Sequence, residues 1–383
     1  MPISMESPTT PGPTVVTWAA SAVRLDVAGS PDLTCRLIVR TSAGGRNLRV
    51  RLSNAFGERP VVFGPVYAGE VAAGASVVAG TNRPLTFAGS ATVTVAPGAD
   101  VSSDPLPGAV LPQADLAVSV YVQDAGGAVT GHQRAGQTSY LARGDRAGAD
   151  GAAGYDEQIM SWFHLDAITV DIPPAEGTAA PGAVVAFGDS ITDGSASTDD
   201  QNRRWPDHLA RRLLADPASS LKGVANAGIS GNKLLADGAG QSALKRLDRD
   251  VLSHQGVRTV VLLEGVNDLK ADPAPTAAEL IAALRDISVR VRGAGKRLVC
   301  GTVLPFHGWF EWTPEADAVR ESVNAFIRTS GDFDAVVDFD LALRDPAEPR
   351  RMLPEFDSGD HLHPNDAGML ALAGAVDLTA LEG

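Results

Sequence analysis

The chain has 383 residues, of which 44% are hydrophobic and 20% charged, enough apolar side chains for two cores of ordinary size. This composition excludes disordered and fibrous proteins. The formal charge of −14 argues against a surface that follows nucleic acid or an anionic membrane. The two cysteines, Cys35 and Cys300, lie far apart in the sequence, so a disulfide framework is not what stabilises the chain.

Targeting signals are not visible in the sequence. No window approaches the roughly eighteen consecutive apolar residues of a membrane span. The first residues, MPISMESPTTPGPT, have neither the basic nor the apolar part of a signal peptide. We therefore expect no membrane span, and a protein that is either cytoplasmic or secreted with its signal removed.

The first part of the chain has the pattern of an all-β sandwich. Apolar residues occupy every second position in short segments that Gly, Pro, Asn and Asp separate, and helix signals are nearly absent. The clearest of these segments are Thr34–Arg40, Asn47–Leu52, Ala91–Ala96 and Asp115–Val122. We predict a β-sandwich domain, jelly-roll-like, over residues 1–178.

The pattern changes after a stretch rich in Pro, Gly and Ala at Pro173–Gly182. Short continuous apolar runs, typical of parallel strands buried on both faces, then alternate with helical segments. The predicted strands are Ala183–Phe187, Val224–Asn226, Thr259–Leu263, Leu298–Val303 and Ala335–Phe339, and the predicted helices are Trp205–Leu214, Ala243–Leu252, Ala277–Val291 and Pro314–Ile327. Residues 179–383 are therefore predicted to form an α/β domain with a five-stranded, doubly wound parallel sheet.

Chemically interesting residues follow the ends of the predicted strands. Ser190 comes directly after the first strand, in Gly188–Thr192, and Asn226–Asn232 carries glycines that let backbone N–H groups approach a ligand. Glu264–Asp268 places an amide donor at the same edge of the sheet, and Asp360 precedes His363 by three residues. Taken singly, each feature is equally typical of a helix cap or a tight turn. Together they supply a nucleophile, a base and an orienting carboxylate.

These four segments resemble the blocks of the SGNH hydrolases, also called GDSL-type esterases and lipases. The matching residues are GDS at Gly188–Ser190, Gly231 within GISGN, Asn267 within GVND, and the D-x-x-H of Asp360–His363. The resemblance covers about Gly182 to Leu381 and extends to the two-domain members that have an N-terminal β domain. It implies a flavodoxin-like SGNH fold for the α/β domain. The α/β-hydrolase elbow G-x-S-x-G is disfavoured, because position 192 is threonine.

The resemblance also implies roles for individual residues. Ser190 would be the nucleophile, His363 the general base and then acid, and Asp360 the carboxylate that orients it. The oxyanion hole would comprise the backbone N–H groups of Ser190 and Gly231 and the side-chain amide of Asn267. His361, two residues before His363, is an alternative base that the sequence does not exclude.

The substrate side is less specific. We predict that Asp189, Trp205 and Trp309 contact substrate, and that His307, Phe310 and Trp312 also line the cleft, although aromatic residues there are as typical of packing as of sugar stacking. The expected function is hydrolysis of short-chain carboxylic esters by a serine esterase, with acetyl groups on carbohydrate as a candidate substrate. We expect no cofactor, no metal and no nucleic-acid partner; the oligomeric state is not predicted.

Two other functions compete with this interpretation. One is a metal-dependent phosphoesterase in which Asp189, Asp193, Asp360, His361 and His363 bind the metals. The other is a carbohydrate-binding protein whose esterase domain is inactive. His132 and His164 in the β region have no evident acid or serine partner in the sequence, so that region is expected to carry no catalytic group.

Overall fold

The computed structural model describes residues 12–174, 177, 179–271 and 273–382. Its first part is built from antiparallel strands, as the alternating pattern predicts. These strands are β1 (Thr14–Ala19), β2 (Val23–Ala28), β3 (Leu33–Arg40), β4 (Gly45–Ser53), β5 (Val61–Ala73), β6 (Ser76–Val77), β7 (Arg83–Leu85), β8 (Val93–Val95), β9 (Asp100–Ser102), β10 (Leu106–Val110), β11 (Asp115–Asp124), β12 (Ala128–His132), β13 (Ser139–Arg143), β14 (Glu157–Ile159), β15 (Trp162–Phe163) and β16 (Leu165–Asp171).

The β region has two larger sheets and one small sheet. The order β1-β16-β4-β10 forms one larger sheet and β14-β13-β3-β11-β5-β6 the other, with β9 beside β4 and with β7 and β8 beside β5. Alternate residues of both larger sheets, such as Leu37, Val50 and Val118, are buried in one shared core. The third sheet, β15-β12-β2, carries His132 at the end of β12. The all-β prediction is confirmed, and the jelly-roll connectivity stays a prediction.

The second part contains a five-stranded parallel sheet in the order β18-β17-β19-β20-β21. Its strands are β17 (Gly182–Gly188), β18 (Leu221–Gly228), β19 (Val257–Leu263), β20 (Arg297–Gly301) and β21 (Ala335–Val337). The chain leaves β17 toward β18 on one side and later adds β19 on the other, so the order reverses at β17. Such a reversal opens a crevice at the carboxyl ends of the strands, where Gly188 pairs with Gly228 and Leu263.

Helices surround this sheet, and their bounds are close to the predicted ones. They are α1 (Ser190–Asp193), α2 (Trp205–Ala215), α3 (Ala243–Leu247), α4 (Val266–Leu269), α5 (Ala277–Gly293), α6 (Pro314–Thr329), α7 (Phe339–Leu343), α8 (Asp366–Ala375) and α9 (Leu378–Glu382). The predicted helix Ala243–Leu252 is divided, because its second half, Asp248–Leu252, is a π-helical turn. Within the described ranges, every helix is too short or too polar to cross a lipid bilayer.

The β region and the α/β region share a core through β1. Val15 and Val16 are buried among residues of the parallel sheet, whereas Trp18 is buried in the core of the β sheets. A Cβ added to Gly223 of β18 would lie 2.1 Å from the Val16 carbonyl oxygen, so the two backbones pack in close contact. The predicted boundary between residues 178 and 179 falls at Thr178, which is outside the described residues.

Candidate active site

Ser190 begins a single-turn helix at the carboxyl end of β17. The Asp189 carboxylate caps this helix by accepting a hydrogen bond from the Ile191 N–H at 2.9 Å. The first N–H groups of a helix have no carbonyl partner within it, and this cap satisfies one of them. A Cβ on Gly188 would lie 2.4 Å from Thr192 Oγ1, which explains why glycine precedes the turn.

His363 and Asp360 lie in the loop that leads into α8, and they complete a chain of hydrogen bonds with Ser190. Ser190 Oγ lies 2.9 Å from His363 Nε2, and His363 Nδ1 lies 2.6 Å from Asp360 Oδ2. The other Asp360 oxygen accepts from the backbone N–H groups of Leu362 and His363. Partial burial raises the pKa of Asp360, but these hydrogen bonds outweigh it and hold that pKa below its ordinary value. Asp360 is therefore an ionised carboxylate at neutral pH.

His361 is directed away from Ser190. Its ring Nδ1 lies 2.6 Å from Asp357 Oδ2, and half of its side chain is exposed. Its backbone is left-handed, with φ of 66°. Of the two histidines, the structure brings His363 to Ser190.

The segments after β18 and β19 place further donors near the Ser190 turn. Gly231 has φ of 79°, a conformation that favours glycine. Asn267 is buried in α4, and its Nδ2 donates to the Asn232 carbonyl oxygen at 2.8 Å. Because an amide nitrogen carries two hydrogens, this bond fixes the side chain and leaves one donor for another acceptor.

Two carboxyl groups are buried at the ends of the neighbouring strands β17 and β19. Burial raises the pKa of Asp189 to about 7. Burial, together with the nearby Asp189 charge, raises the pKa of Glu264 well above its ordinary value. Arg246 Nη2 is 3.9 Å from Glu264 Oε1, so a cation lies close to this pair. Burial therefore favours the neutral form of Glu264.

The structure corrects two of the predicted substrate contacts. Trp205 has no exposed surface: it packs against Phe339, with ring centroids 5.8 Å apart, and its Nε1 donates to Thr192 Oγ1. Asp189 is only 1% exposed, because its carboxylate is used as the cap of α1. Both predictions are wrong, since neither side chain reaches the crevice.

Trp309 is placed where substrate contact was predicted. It is partly exposed, and its ring meets the His363 ring edge to face with centroids 6.0 Å apart. Lys270 Nζ lies 4.9 Å from the centre of the same ring, and the exposed ring of Phe310 is 4.7 Å away. His307 and Trp312 instead pack against each other at 4.2 Å.

Sequence analysis missed two residues that organise the site. Arg246 is fully buried and donates to the carbonyl oxygens of Gly188 and Ala227 at the ends of β17 and β18, each at 2.8 Å. His132 of the β region contacts Asp193 of α1. Neither residue belongs to a local motif, so only a charged side chain at an otherwise apolar helix position could have indicated Arg246.

The residues proposed as ligands of a metal-dependent phosphoesterase do not gather. In the part of the chain that the structure describes, no three His, Cys, Asp or Glu side chains are grouped so as to hold a metal ion. Asp193 is hydrogen-bonded to His132 and Ser230, and His361 is hydrogen-bonded to Asp357. Asp193 and His361 therefore have other partners than Ser190, His363 and Asp360.

The α/β region is similar to known proteins. The model of the GDSL-like lipase/acylhydrolase family matches residues 186–371, whereas no curated protein matches the chain. Solved structures similar to this chain include the carbohydrate acetylesterase Est24 from Sinorhizobium meliloti (15% identity, 51% of this chain and 95% of that one, TM-score 0.41). Another is the aryl esterase of M. smegmatis (17% identity, 51% of this chain and 95% of that one, TM-score 0.41). A third is the lipase/acylhydrolase from Enterococcus faecalis (23% identity, 51% of this chain and 92% of that one, TM-score 0.39). The family match shows that the chain contains a GDSL-like lipase/acylhydrolase domain and that the protein is a carboxylic ester hydrolase.

Proposed function

We propose that this protein is a serine esterase that hydrolyses short-chain carboxylic esters with Ser190 as nucleophile, His363 as base and Asp360 as the orienting carboxylate. The observation that carries the proposal is the continuous hydrogen-bond chain from Ser190 Oγ through the His363 ring to Asp360 Oδ2. A serine hydroxyl is unreactive alone, and this chain supplies the base that activates it.

The reaction follows from the order of these groups. As Ser190 Oγ attacks the ester carbonyl carbon, its proton passes to His363 Nε2, and Asp360 stabilises the imidazolium that results. The tetrahedral intermediate collapses when the imidazolium donates that proton to the alcohol oxygen, which leaves. A water molecule then attacks the acyl group on Ser190 by the same proton path and releases the carboxylic acid.

The negative oxygen of each intermediate needs fixed donors. The proposed oxyanion hole uses the backbone N–H groups of Ser190 and Gly231 and the second N–H of the Asn267 amide. The bond from Asn267 to the Asn232 carbonyl supports this role, because it holds the amide before substrate arrives. The raised pKa of buried Glu264 supports it too, because burial favours the neutral form and a carboxylate charge at that place would oppose a developing oxyanion.

For the substrate, we propose a small acyl group on a polar alcohol such as an acetylated sugar. The ring of Trp309 lies beside His363, the exposed ring of Phe310 lies beside Trp309, and both offer apolar faces of the kind that stack on sugar rings. Carbohydrate binding without catalysis is the alternative, and it predicts glycan binding in a protein that cleaves no ester.

A series of p-nitrophenyl esters from acetate to palmitate, assayed in EDTA, tests the function. We expect the wild type to cleave the short esters best and Ser190→Ala to lose about 10³-fold or more in kcat. Ser197→Ala is the matched control, because the Ser197 hydroxyl bonds only to the Gly194 carbonyl in the same segment. Activity that persists in Ser190→Ala, or that EDTA abolishes, would contradict the proposal.

The pH dependence gives a second test. Because a protonated imidazole cannot accept the Ser190 proton, kcat/KM measured between about pH 5 and pH 8 should be lower at the acidic end of this range. The profile is measured on p-nitrophenyl acetate, with background hydrolysis subtracted. A flat profile over this range would be incompatible with a histidine base.

A further inference from the structure

A buried ion pair joins the β region to the active-site turn. His132, at the end of β12, places its Nε2 2.9 Å from Oδ1 of Asp193, the last residue of α1. Both side chains are only 5% exposed. The helix that carries Ser190 is therefore attached at its other end to a residue of the β region.

The partners of the His132 ring define its protonation state. Nδ1 faces the Ser21 carbonyl oxygen at 2.9 Å, and Nε2 faces both Asp193 and the Arg134 carbonyl oxygen, the latter at 3.0 Å. None of these oxygens carries a hydrogen when Asp193 is ionised, so both ring nitrogens must donate. A neutral imidazole has only one N–H, whereas an imidazolium has two. The hydrogen bonds therefore fit a charged His132.

Asp193 is also hydrogen-bonded to the segment that contains Gly231. Its second oxygen, Oδ2, accepts hydrogen bonds from the backbone N–H of Ser230 at 2.9 Å and from the Ser230 hydroxyl at 2.6 Å. Ser230 directly precedes Gly231, whose N–H belongs to the proposed oxyanion hole. One carboxylate thus fixes the distance between the turn of Ser190 and the segment of Gly231.

Other charged groups near the pair are already engaged. Arg204 contacts Asp207, and Arg246 contacts Asp250, on the α/β side of the junction. Arg40, on the β side, pairs with Asp115. Removal of the His132 charge would therefore leave Asp193 as a buried carboxylate without its hydrogen-bonded cation, stabilised only by Ser230 and by the more distant charge of Arg204.

We propose that His132 of the β region is a positioning residue for ester hydrolysis, which acts through Asp193 to align the Ser190 turn with the Ser230–Gly231 segment. This inference rests on the proposed function. It assigns the β region a part in catalysis: the region supplies the cation that holds two halves of the site in register. Displacement of catalytic groups by about 1 Å can cost about 100-fold in rate, so a loss of this alignment should appear in kcat.

The test compares His132→Gln, Asp193→Asn and the double variant on p-nitrophenyl acetate. We expect each single variant to lower kcat about 10- to 100-fold while KM changes less than about threefold, because the ester-binding surface is untouched. The double variant should be little worse than either single one, since both remove the same interaction. Ser230→Ala, which deletes the hydroxyl bonds to Asp193 and to the Ser195 hydroxyl but keeps the backbone N–H bond to Asp193, should lower kcat by a smaller factor in a folded protein.

His254→Gln is the matched control. His254 is also a buried histidine at the junction, where its Nδ1 contacts Arg51 Nη2 of the β region at 3.3 Å, but it does not touch the Ser190 or Gly231 segments. It should lower the melting temperature and leave kcat within about twofold of wild type. If His132→Gln and Ser230→Ala also keep kcat within about twofold, or if the losses in the two single pair variants multiply in the double variant, the inference is wrong.

Labelling by a fluorophosphonate separates this inference from the proposed function. Wild type that neither hydrolyses the ester nor reacts with the probe at Ser190 would overturn the function itself. If the wild type hydrolyses the ester and is labelled at Ser190, and His132→Gln does so equally fast, only the positioning role is overturned. Slower labelling of His132→Gln with unchanged circular dichroism would support it.

Discussion

Asn267 shows how one side chain is prepared for an incoming charge. Its amide is buried and already donates to the Asn232 carbonyl, so its orientation does not have to be found during the reaction. Donors that are fixed in advance stabilise a transition state without reorganisation. Burial raises the pKa of Glu264, three residues earlier in the chain, and so favours its uncharged form beside the proposed oxyanion hole.

Replacement of Asn267 tests this role. Asn267→Ala removes one oxyanion donor and should lower kcat by about 10²–10³, with a small change in KM. Asn267→Asp keeps the shape but places a carboxylate where a donor is needed, so it should be at least as inactive. Steady-state kinetics and thermal melts measure both. An alanine variant with wild-type kcat would show that Asn267 only supports the fold.

The candidate catalytic residues were largely predictable from the sequence where they lie in short motifs. Ser190, Asp360 and His363 stand in short motifs at the ends of predicted elements, and the structure brings all three together. The pairing of His132 with Asp193 was not predictable, because the two are 61 positions apart and belong to different regions. Trp205 was misjudged because an aromatic residue at a helix start has the same local pattern whether it faces a cleft or a core.

At the scale of elements, α1 depends on close contact with the end of β18. A Cβ on Gly228 would lie 2.2 Å from the backbone nitrogen of Asp193, so only glycine lets the strand end approach the turn of Ser190. Continuous apolar runs predicted most strands of the parallel sheet. The strand predicted for β18, Val224–Asn226, is shorter than the observed Leu221–Gly228, because Lys222 and Gly223 interrupt the apolar pattern at the beginning of the strand.

Gly228→Ala should therefore displace α1. The overpacking should cost about 1–3 kcal/mol in the free energy of unfolding and should reduce kcat well beyond what that loss of stability explains. Gly293→Ala is the control, because a Cβ at this helix end meets nothing within 4 Å. Urea unfolding and ester hydrolysis report the two effects. Equal kcat in both variants would mean that α1 does not depend on this contact.

At the scale of the whole molecule, the junction between the two regions makes stability depend on pH. Burial lowers the pKa of His132, but the charge and hydrogen bond of Asp193 outweigh it, and the pKa is raised above its ordinary 6.5. Burial raises the pKa of Asp193, but the charge and hydrogen bond of His132 outweigh this effect and leave that pKa below 3.8. Both members of the pair are thus mainly in their charged forms between pH 3.8 and pH 6.5.

The sign of the effect follows from linkage. A raised histidine pKa contributes stability that is complete below 6.5 and is lost as the pH rises through the folded-state value. His132→Gln should cost about 3–5 kcal/mol at pH 6 and clearly less at pH 9. Urea unfolding of both proteins at the two pH values measures this. A cost that is equal at pH 6 and pH 9 would mean that His132 does not change its charge between these two pH values in the folded protein.

The shared core around β1 also has a consequence for the order in which the protein is assembled during synthesis. Thr14 of β1 bonds Asp171 of β16, 157 positions later, and Val15 and Val16 pack on a parallel sheet that is translated later still. At ordinary translation rates this strand waits on the order of ten seconds for its partners to leave the ribosome. The nascent β region thus carries an unpaired apolar strand, which is the segment on which a chaperone would act.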